Sequence, residues 1–452
     1  MALLAIHDAR LVTEAWERPG GIVVGDDGRI ASLVEADARP EADTVIDADG
    51  RLLFPGFIDA HVHMRDPGFP HKETFATGSL AAACGGVTTV MCMPNTDPPA
   101  DTAEGIAAMR AAGEGASLVD FTVQAGVTPD NIADLPALWD LGVSSFEALL
   151  SDAPASMLLD GDGLARAAAA VAACGAVIGV YTGDRSMVGA ALERLSGRTD
   201  FAAFAEARDP IGEAMGLARL IEVARATGAR IVARQVCTAR GFVMIEAARR
   251  DDPGLSMAVE ATPHHLRLDG SAVDRHGPFA LMVPPLRGAE DCAAARAALA
   301  SGAADFVGSD HAPHAVGEKD RPSPWTVPGG TPGLDTIVPA VADLAAAGEI
   351  PWTRVAAALC ATPARLFGIA DRKGRLAVGA DGDLALVDPA LARTVDGGAI
   401  RSRAARSPFE GMALTGWPVL TVLRGRVIAE DGRHVGGTPQ GRWLRRGAVD
   451  WS

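Results

Sequence analysis

The sequence predicts an α/β protein, a (β/α)8 TIM-like barrel with a small β-sandwich domain that both termini build. Eight short apolar segments alternate with alanine-rich segments of helical periodicity through the middle of the chain. The first 55 residues instead show short apolar runs separated by the turn sequences GDDG and DADG, and the same texture returns near the C-terminus. Because the strand–helix alternation repeats eight times, it favours a closed barrel over a doubly wound sheet.

The predicted domain boundaries follow these changes of pattern. We expect residues 1–55 and 371–452 to form the β-sandwich domain and residues 56–370 to form the barrel. Active sites of such barrels gather at the carboxyl ends of the strands, so polar residues there are the candidates for chemistry. The eight predicted barrel strands lie in the segments GFIDAHVHM, GVTTVMCMP, SLVDFTVQAGV, GVSSFEALL, GAVIGVYTG, ARIVARQVC, LSMAVEATP and ADFVGSDHAP.

Composition and charge argue against several classes of function. With 48% hydrophobic and 22% charged residues, the 452-residue chain is typical of a globular protein with a large core. Its net charge of -16 repels phosphate backbones, so we expect no nucleic-acid partner. We find no apolar run long enough to cross a membrane and no signal-peptide pattern. The six cysteines are scattered without a C-x-x-C pair, which predicts free thiols and a cytoplasmic location.

Two histidines on the first predicted barrel strand indicate a metal site. His61 and His63 lie two residues apart, so their side chains share the face of the strand that points into the barrel. Two imidazoles in this arrangement can converge on one zinc ion. The eighth strand ends at Asp310, and closure of the barrel brings this strand beside the first. The sequence therefore predicts a cluster of these three residues, with Asp310 as metal ligand, general base or both.

Several longer motifs carry a family resemblance. They are FPGFIDAHVHMRDPG, KETFATGSLAAACGGVTTVMCMPNTDP, EATPHHL, PPLR, GSDHAPH and PGGTPGLDT. The chain resembles the dihydroorotase, hydantoinase and allantoinase group of the amidohydrolase superfamily, and HVHMRDPG followed by MPNT is closest to dihydroorotases. The resemblance implies hydrolysis of a C–N bond in a cyclic amide or imide, a small molecule bearing a carboxylate. It also implies that Arg65, Asn95 and His314 bind that carboxylate, which suits the planar fork of arginine.

The departures from the family concern the metals. Many members hold two metals, using a carbamylated lysine on strand 4 and histidines on strands 5 and 6. Here residues 72–263 contain no histidine, and Tyr181 and Gln235 stand at the two expected histidine positions. None of the three lysines, Lys72, Lys319 and Lys373, lies on strand 4. We therefore expect a degenerate site with one divalent metal, zinc, and with neither a carbamylated lysine nor a second metal.

A fourth metal ligand is predicted at Glu147, which occupies the expected lysine position, and Asp152 is a second candidate for that role. A single metal held in this way would polarise the ring carbonyl and activate water, with Asp310 as general base. A metal-free alternative places the Arg234 guanidinium in the barrel interior, paired with Glu147. Strand alternation argues against this alternative, because it directs Gln235 inward and Arg234 outward.

Two other functions stay open. The loss of ligands is compatible with a catalytically inactive dihydroorotase-like subunit that serves another enzyme as a structural partner. Alternatively, Val283 and Tyr181 make the pocket more apolar, which favours a hydantoinase- or allantoinase-type hydrolase of a different ring. Family analogy predicts a homo-oligomer, a dimer or a tetramer, with a hetero-partner if the chain is inactive.

Three further features receive simpler interpretations. We expect His264 and His265 to support the site rather than bind metal. Cys237 has no histidine near it in sequence, so we expect a buried thiol rather than a nucleophile. The segment 317–330 is rich in glycine and proline and is a candidate mobile lid.

Overall fold

The computed structural model describes residues 2–451 and contains two sheets. The predicted barrel and the separate small β domain built from both termini are confirmed. The N-terminal part of the small domain contributes five strands, β1 (Ala2–Val12), β2 (Glu17–Gly25), β3 (Ile30–Val34), β4 (Thr44–Asp47) and β5 (Leu52–Pro55).

The barrel is an eight-stranded parallel sheet in which each strand pairs with its neighbours in sequence. A parallel bridge between Val62 and His311 joins the first strand to the residues that follow the eighth. All eight predicted segments contain a strand, and the strands are β6 (Phe57–Val62), β7 (Val87–Cys92), β8 (Asp120–Gly126), β9 (Ser145–Leu149), β10 (Val177–Tyr181), β11 (Arg230–Arg234), β12 (Met257–Ala261) and β13 (Phe306–Val307).

The small domain is one mixed sheet of nine strands. Antiparallel pairing of Leu384–Val387 with Leu52–Pro55 joins its C-terminal part to its N-terminal part. The C-terminal strands are β14 (Leu384–Thr394), β15 (Ala413–Leu423), β16 (Arg426–Glu430) and β17 (Arg433–His434).

Helices surround the barrel and pack small apolar side chains against it. In Gly161–Ala173, for example, Leu164, Ala167, Ala168 and Val171 are buried at the spacing of one helical face. The helices are α1 (Phe75–Cys84), α2 (Ala103–Gly113), α3 (Leu135–Asp140), α4 (Gly161–Ala173), α5 (Arg185–Leu195), α6 (Ala202–Glu206), α7 (Pro210–Thr227), α8 (Ala239–Asp251), α9 (Pro263–Arg267), α10 (Ser271–His276), α11 (Ala289–Ser301), α12 (Val316–Lys319), α13 (Ile337–Ala346), α14 (Trp352–Ala356) and α15 (Thr362–Leu366). Across residues 2–451, no helix combines the length and the apolar character that crossing a membrane requires.

Side-chain caps fix where many of these helices begin. A threonine or aspartate oxygen accepts a hydrogen bond from a backbone N–H of the first turn, which satisfies a donor that has no partner inside the helix. The capping residues of α1, α2, α4, α5, α7, α8 and α9 are Thr74, Thr102, Asp160, Asp184, Asp209, Thr238 and Thr262. Several of these caps follow a barrel strand closely, so they end the strand and set the direction of the next helix.

A buried ionic cluster ties the small sheet to the barrel. The Lys373 ammonium donates to Asp120 at 2.6 Å and to Asp383 at 2.5 Å, and it lies 2.9 Å from Asp381. Arg424 donates to Asp120 as well, at 2.6 Å. Asp120 begins β8, whereas the other residues flank strands of the small sheet. Protein cations already neutralise these three carboxylates, so we assign the cluster a structural role.

Candidate active site

Three of the predicted site residues converge at the carboxyl ends of neighbouring barrel strands. His61 lies in β6, His63 follows it, and Asp310 follows β13. Oδ1 of Asp310 is 3.3 Å from Nε2 of His61 and 3.4 Å from Nε2 of His63. One ligand atom from each residue lies within 4.8 Å of the others. The cluster predicted from the spacing of the two histidines is therefore present.

These three residues fit a divalent metal. Ligands at about 2.0–2.1 Å from a tetrahedral zinc ion are separated by roughly 3.3–3.4 Å, which matches the two distances to Asp310. Nδ1 of His61 lies 2.8 Å from Oε1 of Glu260, so a proton on Nδ1 leaves the Nε2 lone pair directed at Asp310. Nδ1 of His63 is buried without a hydrogen-bond partner among the described residues.

The pKa values of the two histidines are shifted in opposite directions by their surroundings. Burial disfavours an imidazolium at His61, but the carboxylates of Glu260 and Asp310 outweigh it and raise the pKa of His61. Burial and the nearby Arg65 guanidinium hold the pKa of His63 well below its usual range. Burial also raises the pKa of Asp310, and the neighbouring cations oppose that rise. His63 is therefore a neutral imidazole near neutral pH, the form that binds a metal.

Glu147 lines the same cavity but does not join the cluster. Arg234 donates from Nε to Oε2 of Glu147 at 3.0 Å and from Nη2 to Oε1 at 2.5 Å. The hydroxyl of Ser145 donates to Oε1 as well, at 2.7 Å. Both carboxylate oxygens are thus engaged by protein donors. This arrangement does not support Glu147 as a fourth metal ligand and matches the alternative in which a guanidinium occupies the barrel interior.

The predicted outward direction of Arg234 is wrong, because it shares a face of β11 with Val232, which packs against residues of other strands in the barrel interior. Arg234 is the last residue of β11 and is 1% exposed, with its guanidinium inside the barrel. Gln235 lies beyond the strand and has a φ of 55°, so the alternation of a pleated strand no longer governs its direction. Its amide also reaches the site and donates to Oδ2 of Asp310 at 2.6 Å. Both consecutive side chains therefore face the barrel interior.

Glu260 is a site residue that the sequence interpretation missed. It lies in β12, is fully buried, and accepts from Arg234 Nη1 at 2.9 Å through Oε2 while Oε1 faces His61. Burial would raise its pKa, but the charges of His61 and Arg234 outweigh burial and lower it. A single glutamate inside the apolar segment SMAVEATP was the available signal, because a carboxylate is rarely buried without a partner.

The predicted second candidate, Asp152, is engaged elsewhere. Its carboxylate accepts from Tyr181 Oη at 3.3 Å and from Arg208 Nε at 2.8 Å. Ser151 donates to it at 2.8 Å. Asp152 therefore forms part of the cavity wall together with Tyr181, which occupies the expected position of a histidine ligand.

Arg65 presents an unpaired cation to the cavity. Its Nε is buried without a hydrogen-bond partner, and no carboxylate within residues 2–451 forms an ion pair with it. Burial lowers the pKa of Arg65 to about 10, which still leaves it charged at neutral pH. Its φ of 59° turns the chain sharply after the strand. The charges of Asp310 and Glu318 act on this partly buried guanidinium without forming an ion pair with it, and a ligand carboxylate would match its fork.

His314 and Asn95 lie beside Arg65 on the cavity wall. Nε2 of His314 is 3.5 Å from Nη2 of Arg65 and 3.2 Å from the carbonyl of Gly329, while Nδ1 is 3.3 Å from Nζ of Lys72. Burial and the nearby charges of Arg65, Lys72 and Lys319 lower the pKa of His314 to about 2, so the ring is neutral. It therefore contributes polarity and shape rather than charge.

One cavity of about 380 Å³ unites the predicted residues. It is lined by all seven, His61, His63, Arg65, Asn95, Glu147, Asp310 and His314. Val283, Tyr181 and Met93 provide apolar lining. A cationic group and a metal-binding cluster thus share a cavity large enough for a small ring.

The remaining sequence expectations concern nearby residues. His264 and His265 are buried in α9, and neither belongs to the metal-binding cluster. Cys237 is 1% exposed, and burial holds its thiol pKa well above the usual value. The segment 317–330 contributes Pro328, Gly329 and Gly330 to the cavity wall, and its mobility stays a prediction.

The chain is similar to known proteins in both sequence and structure. Residues 52–428 match the amidohydrolase family. The chain is 38% identical over 396 residues to a dihydroorotase of Halobacterium salinarum, covering 86% of this chain and 90% of that protein. It is 31% identical over 436 residues to an L-hydantoinase of Paenarthrobacter aurescens, covering 94% of each. The structure of an L-hydantoinase (dihydropyrimidinase) from Arthrobacter aurescens superposes with a TM-score of 0.95 at 30% identity, covering 99% of this chain and 100% of that one.

The barrel, the histidine–aspartate cluster and these matches define the class, and the chain belongs to the amidohydrolase family. Within that family it is a metal-dependent cyclic amidohydrolase of the dihydroorotase and hydantoinase type.

Proposed function

We propose that this enzyme hydrolyses the ring C–N bond of a cyclic amide or imide that carries a carboxylate, as dihydroorotate does, with one zinc ion held by His61, His63 and Asp310. The observation that carries the proposal is the partly buried Arg65 guanidinium, which faces the same cavity as the cluster. Its Nε has no hydrogen-bond partner, and it forms no ion pair among the described residues, although the charges of Asp310 and Glu318 act on it from nearby. A substrate carboxylate would supply the missing charge and would hold the ring beside Asp310.

Each residue of the site has a separate role in the proposed reaction. A divalent metal bound by the cluster supplies Lewis-acid activation of water and of the ring carbonyl. Asp310 accepts a proton from the attacking water and delivers it to the departing ring nitrogen. Gln235 holds Asp310 by a hydrogen bond of 2.6 Å to Oδ2, which leaves Oδ1 directed at the histidines. Arg65 and Asn95 orient the substrate, so little translational and rotational freedom remains to be lost when water attacks the ring carbonyl.

Two classes of substrate ring are candidates. Dihydroorotases and an L-hydantoinase are both among the relatives, and both classes of ring fit a cavity of about 380 Å³. The apolar contributions of Val283 and Tyr181 favour a hydantoin bearing an apolar substituent as the second candidate. The unpaired Arg65 favours the carboxylate-bearing ring, and this charge argument ranks that ring first.

The test is turnover of a panel of rings by the purified chain, with its metal content measured by elemental analysis. The panel contains dihydroorotate, hydantoin, a 5-substituted hydantoin, dihydrouracil and allantoin, each assayed with and without added zinc. We expect fastest turnover of dihydroorotate, one zinc per chain, and loss of turnover in His61→Ala and Asp310→Asn. His276→Ala is the matched control, because this histidine lies in α10 and does not line the cavity.

Each alternative predicts a different outcome. Preferential turnover of the substituted hydantoin would replace the proposed ring and keep the mechanism. Two metals per chain would overturn the single-metal site. No turnover of any ring, with zinc bound or absent, would overturn the proposed activity in favour of a structural subunit.

A further inference from the structure

Arg234 is saturated by protein acceptors. Nε and Nη2 donate to Glu147, and Nη1 donates to Glu260. The carbonyl of Ala60 lies 3.3 Å from Nη1, and Oε1 of Gln124 lies 3.3 Å from Nη2. Five N–H groups meet five acceptor contacts, so the guanidinium retains no donor for a substrate. Its influence on the reaction must therefore pass through the residues that it holds.

Glu260 is the residue through which Arg234 reaches the cluster. One carboxylate oxygen accepts from Arg234 and the other lies 2.8 Å from Nδ1 of His61, and all three side chains are buried. Tilting of the Glu260 carboxylate out of its plane would weaken both contacts. The guanidinium opposes this tilt, because it is itself fixed by its fork to Glu147.

We propose that Arg234 and Glu260 are positioning residues that act in sequence. Arg234 fixes the Glu260 carboxylate, which keeps the proton of His61 on Nδ1 and directs Nε2 toward Oδ1 of Asp310. This inference rests on the proposed function, in which His61 is a metal ligand. It goes beyond that function in assigning roles to two residues that touch neither the substrate nor the metal, with Arg234 serving as a permanent cation between two buried carboxylates.

The test measures zinc affinity of the metal-free full-length chain by competition with a chromophoric chelator. Glu260→Gln keeps the shape of the side chain, but its single oxygen cannot accept from both Arg234 and His61. Arg234→Met removes the guanidinium and keeps the apolar part of the side chain. We expect each to weaken zinc binding about 10–100-fold, as supporting residues of metal ligands do. Arg234→Lys keeps the charge without the planar fork, so we expect an intermediate loss.

Arg424→Met is the matched control for burial and charge. Arg424 is another buried arginine held by a carboxylate, Asp120, but it lies in the cluster that joins the two sheets. We expect this variant to lose stability and to keep the zinc affinity of the wild type. Circular dichroism and thermal unfolding establish that each variant is folded, so a general structural effect is separated from a change at the site.

A second readout does not depend on zinc. Long-range ¹H–¹⁵N spectra of histidine-labelled, metal-free protein report the tautomer of each ring, and the signal of His61 is assigned by its absence in His61→Asn. The spectra are recorded over a pH series and compared at pH values where the His61 ring is neutral, because the neighbouring carboxylates raise its pKa. There we expect the proton on Nδ1 in the wild type and a mixed population of tautomers in Glu260→Gln and Arg234→Met.

The outcomes separate this inference from the proposed function. Wild-type zinc affinity and an unchanged tautomer in folded Arg234→Met and Glu260→Gln would overturn the positioning roles, even if the enzyme turns over the proposed substrate. A wild type that binds no zinc would overturn the single-metal function, and the tautomer alone would then decide. A neutral His61 ring with its proton on Nδ1 in the wild type, and loss of this preference in the variants, would support the positioning roles. A wild type without this preference would overturn them.

Discussion

Arg234 binds Glu147 through both carboxylate oxygens, with Nε–Oε2 at 3.0 Å and Nη2–Oε1 at 2.5 Å. Both side chains are buried, with Glu147 on β9 and Arg234 on β11, and Glu260 contacts the same guanidinium. A buried ion pair with this fork geometry gives up its solvation for directional hydrogen bonds. Glu147 is therefore fixed to a protein cation, and its relation to the histidine–aspartate cluster is indirect.

The first prediction concerns Glu147→Gln. The substitution keeps the size of the side chain but removes one of the two carboxylates that neutralise Arg234. We expect the free energy of unfolding to fall by about 3–5 kcal/mol, the usual cost of breaking a buried pair from one side. Urea denaturation monitored by tryptophan fluorescence measures this change.

Zinc titration of the same variant distinguishes a partner of Arg234 from a metal ligand. We expect the zinc affinity of Glu147→Gln to fall far less than that of His63→Ala, because no oxygen of Glu147 belongs to the cluster. A loss equal to that of His63→Ala would restore Glu147 as a ligand.

The second prediction concerns recognition of the substrate carboxylate by Arg65. Arg65→Met removes the partly buried cation, and Arg65→Lys keeps its charge but loses the bidentate fork. We expect kcat/KM for dihydroorotate to fall at least about 100-fold in Arg65→Met and about 10-fold in Arg65→Lys, since truncating one partner of a buried charge pair costs some 2–5 kcal/mol.

Dihydrouracil is the matched substrate for this experiment, because it keeps the ring and lacks the carboxylate. Turnover of dihydrouracil should change little in either variant. An equal fall for both rings would show that Arg65 acts on the site itself, for instance through the neighbouring His63, rather than on the carboxylate.

The sequence was sufficient to predict the fold and the convergence of three polar residues for identifiable reasons. Each barrel strand is a short apolar run that ends in polar residues, so the eight strands and the convergence of His61, His63 and Asp310 followed from period and closure. The direction of Arg234 did not follow, because the interpretation placed Gln235 on the inward face, whereas alternation along β11 gives that face to Val232 and Arg234. The positive φ of Gln235 lets the next side chain reach the site as well. The contact of Glu260 with His61 spans 199 positions in sequence and is set by side-chain geometry alone.

The third prediction concerns Cys237, a thiol beside the cavity wall. Its Sγ lies 3.0 Å from a carboxylate oxygen of Glu213, and burial together with that charge keeps the pKa of the thiol well above its usual value. A thiol held in this way is a poor nucleophile. We expect Cys237→Ala to keep wild-type kcat with a modest loss of stability. Loss of turnover in a folded Cys237→Ala protein would contradict this assignment.

The fourth prediction concerns the pH dependence of stability through Lys319. Its ammonium is 3% exposed and donates to the carbonyls of Leu281, Pro328 and Gly330 at 2.7, 3.0 and 2.9 Å. Burial lowers the pKa of Lys319 from 10.5 to about 7. The three carbonyl oxygens favour the charged form and oppose this shift. Lys319 thus anchors the segment that carries part of the cavity wall.

The sign of the effect follows from proton binding in the two states. Below about pH 7 both the folded and the unfolded chain hold the proton, and the folded state bears the full cost of a buried charge. Between about pH 7 and 10.5 the unfolded chain holds a proton that the folded chain has released. The free energy of unfolding therefore rises with pH in this window, by at most about 5 kcal/mol at roughly 1.4 kcal/mol per pKa unit.

Lys319→Met isolates this contribution, because methionine fills similar space and does not titrate. Urea denaturation of the wild type and of Lys319→Met at a series of pH values gives the difference between their unfolding free energies. We expect the difference to move in favour of the wild type as the pH rises from 7 toward 10.5. Lys72→Met is the matched control, since Lys72 is more exposed and bound by the side chains of Glu318 and His314. A difference that stays flat across this window would show that the three carbonyls keep Lys319 charged.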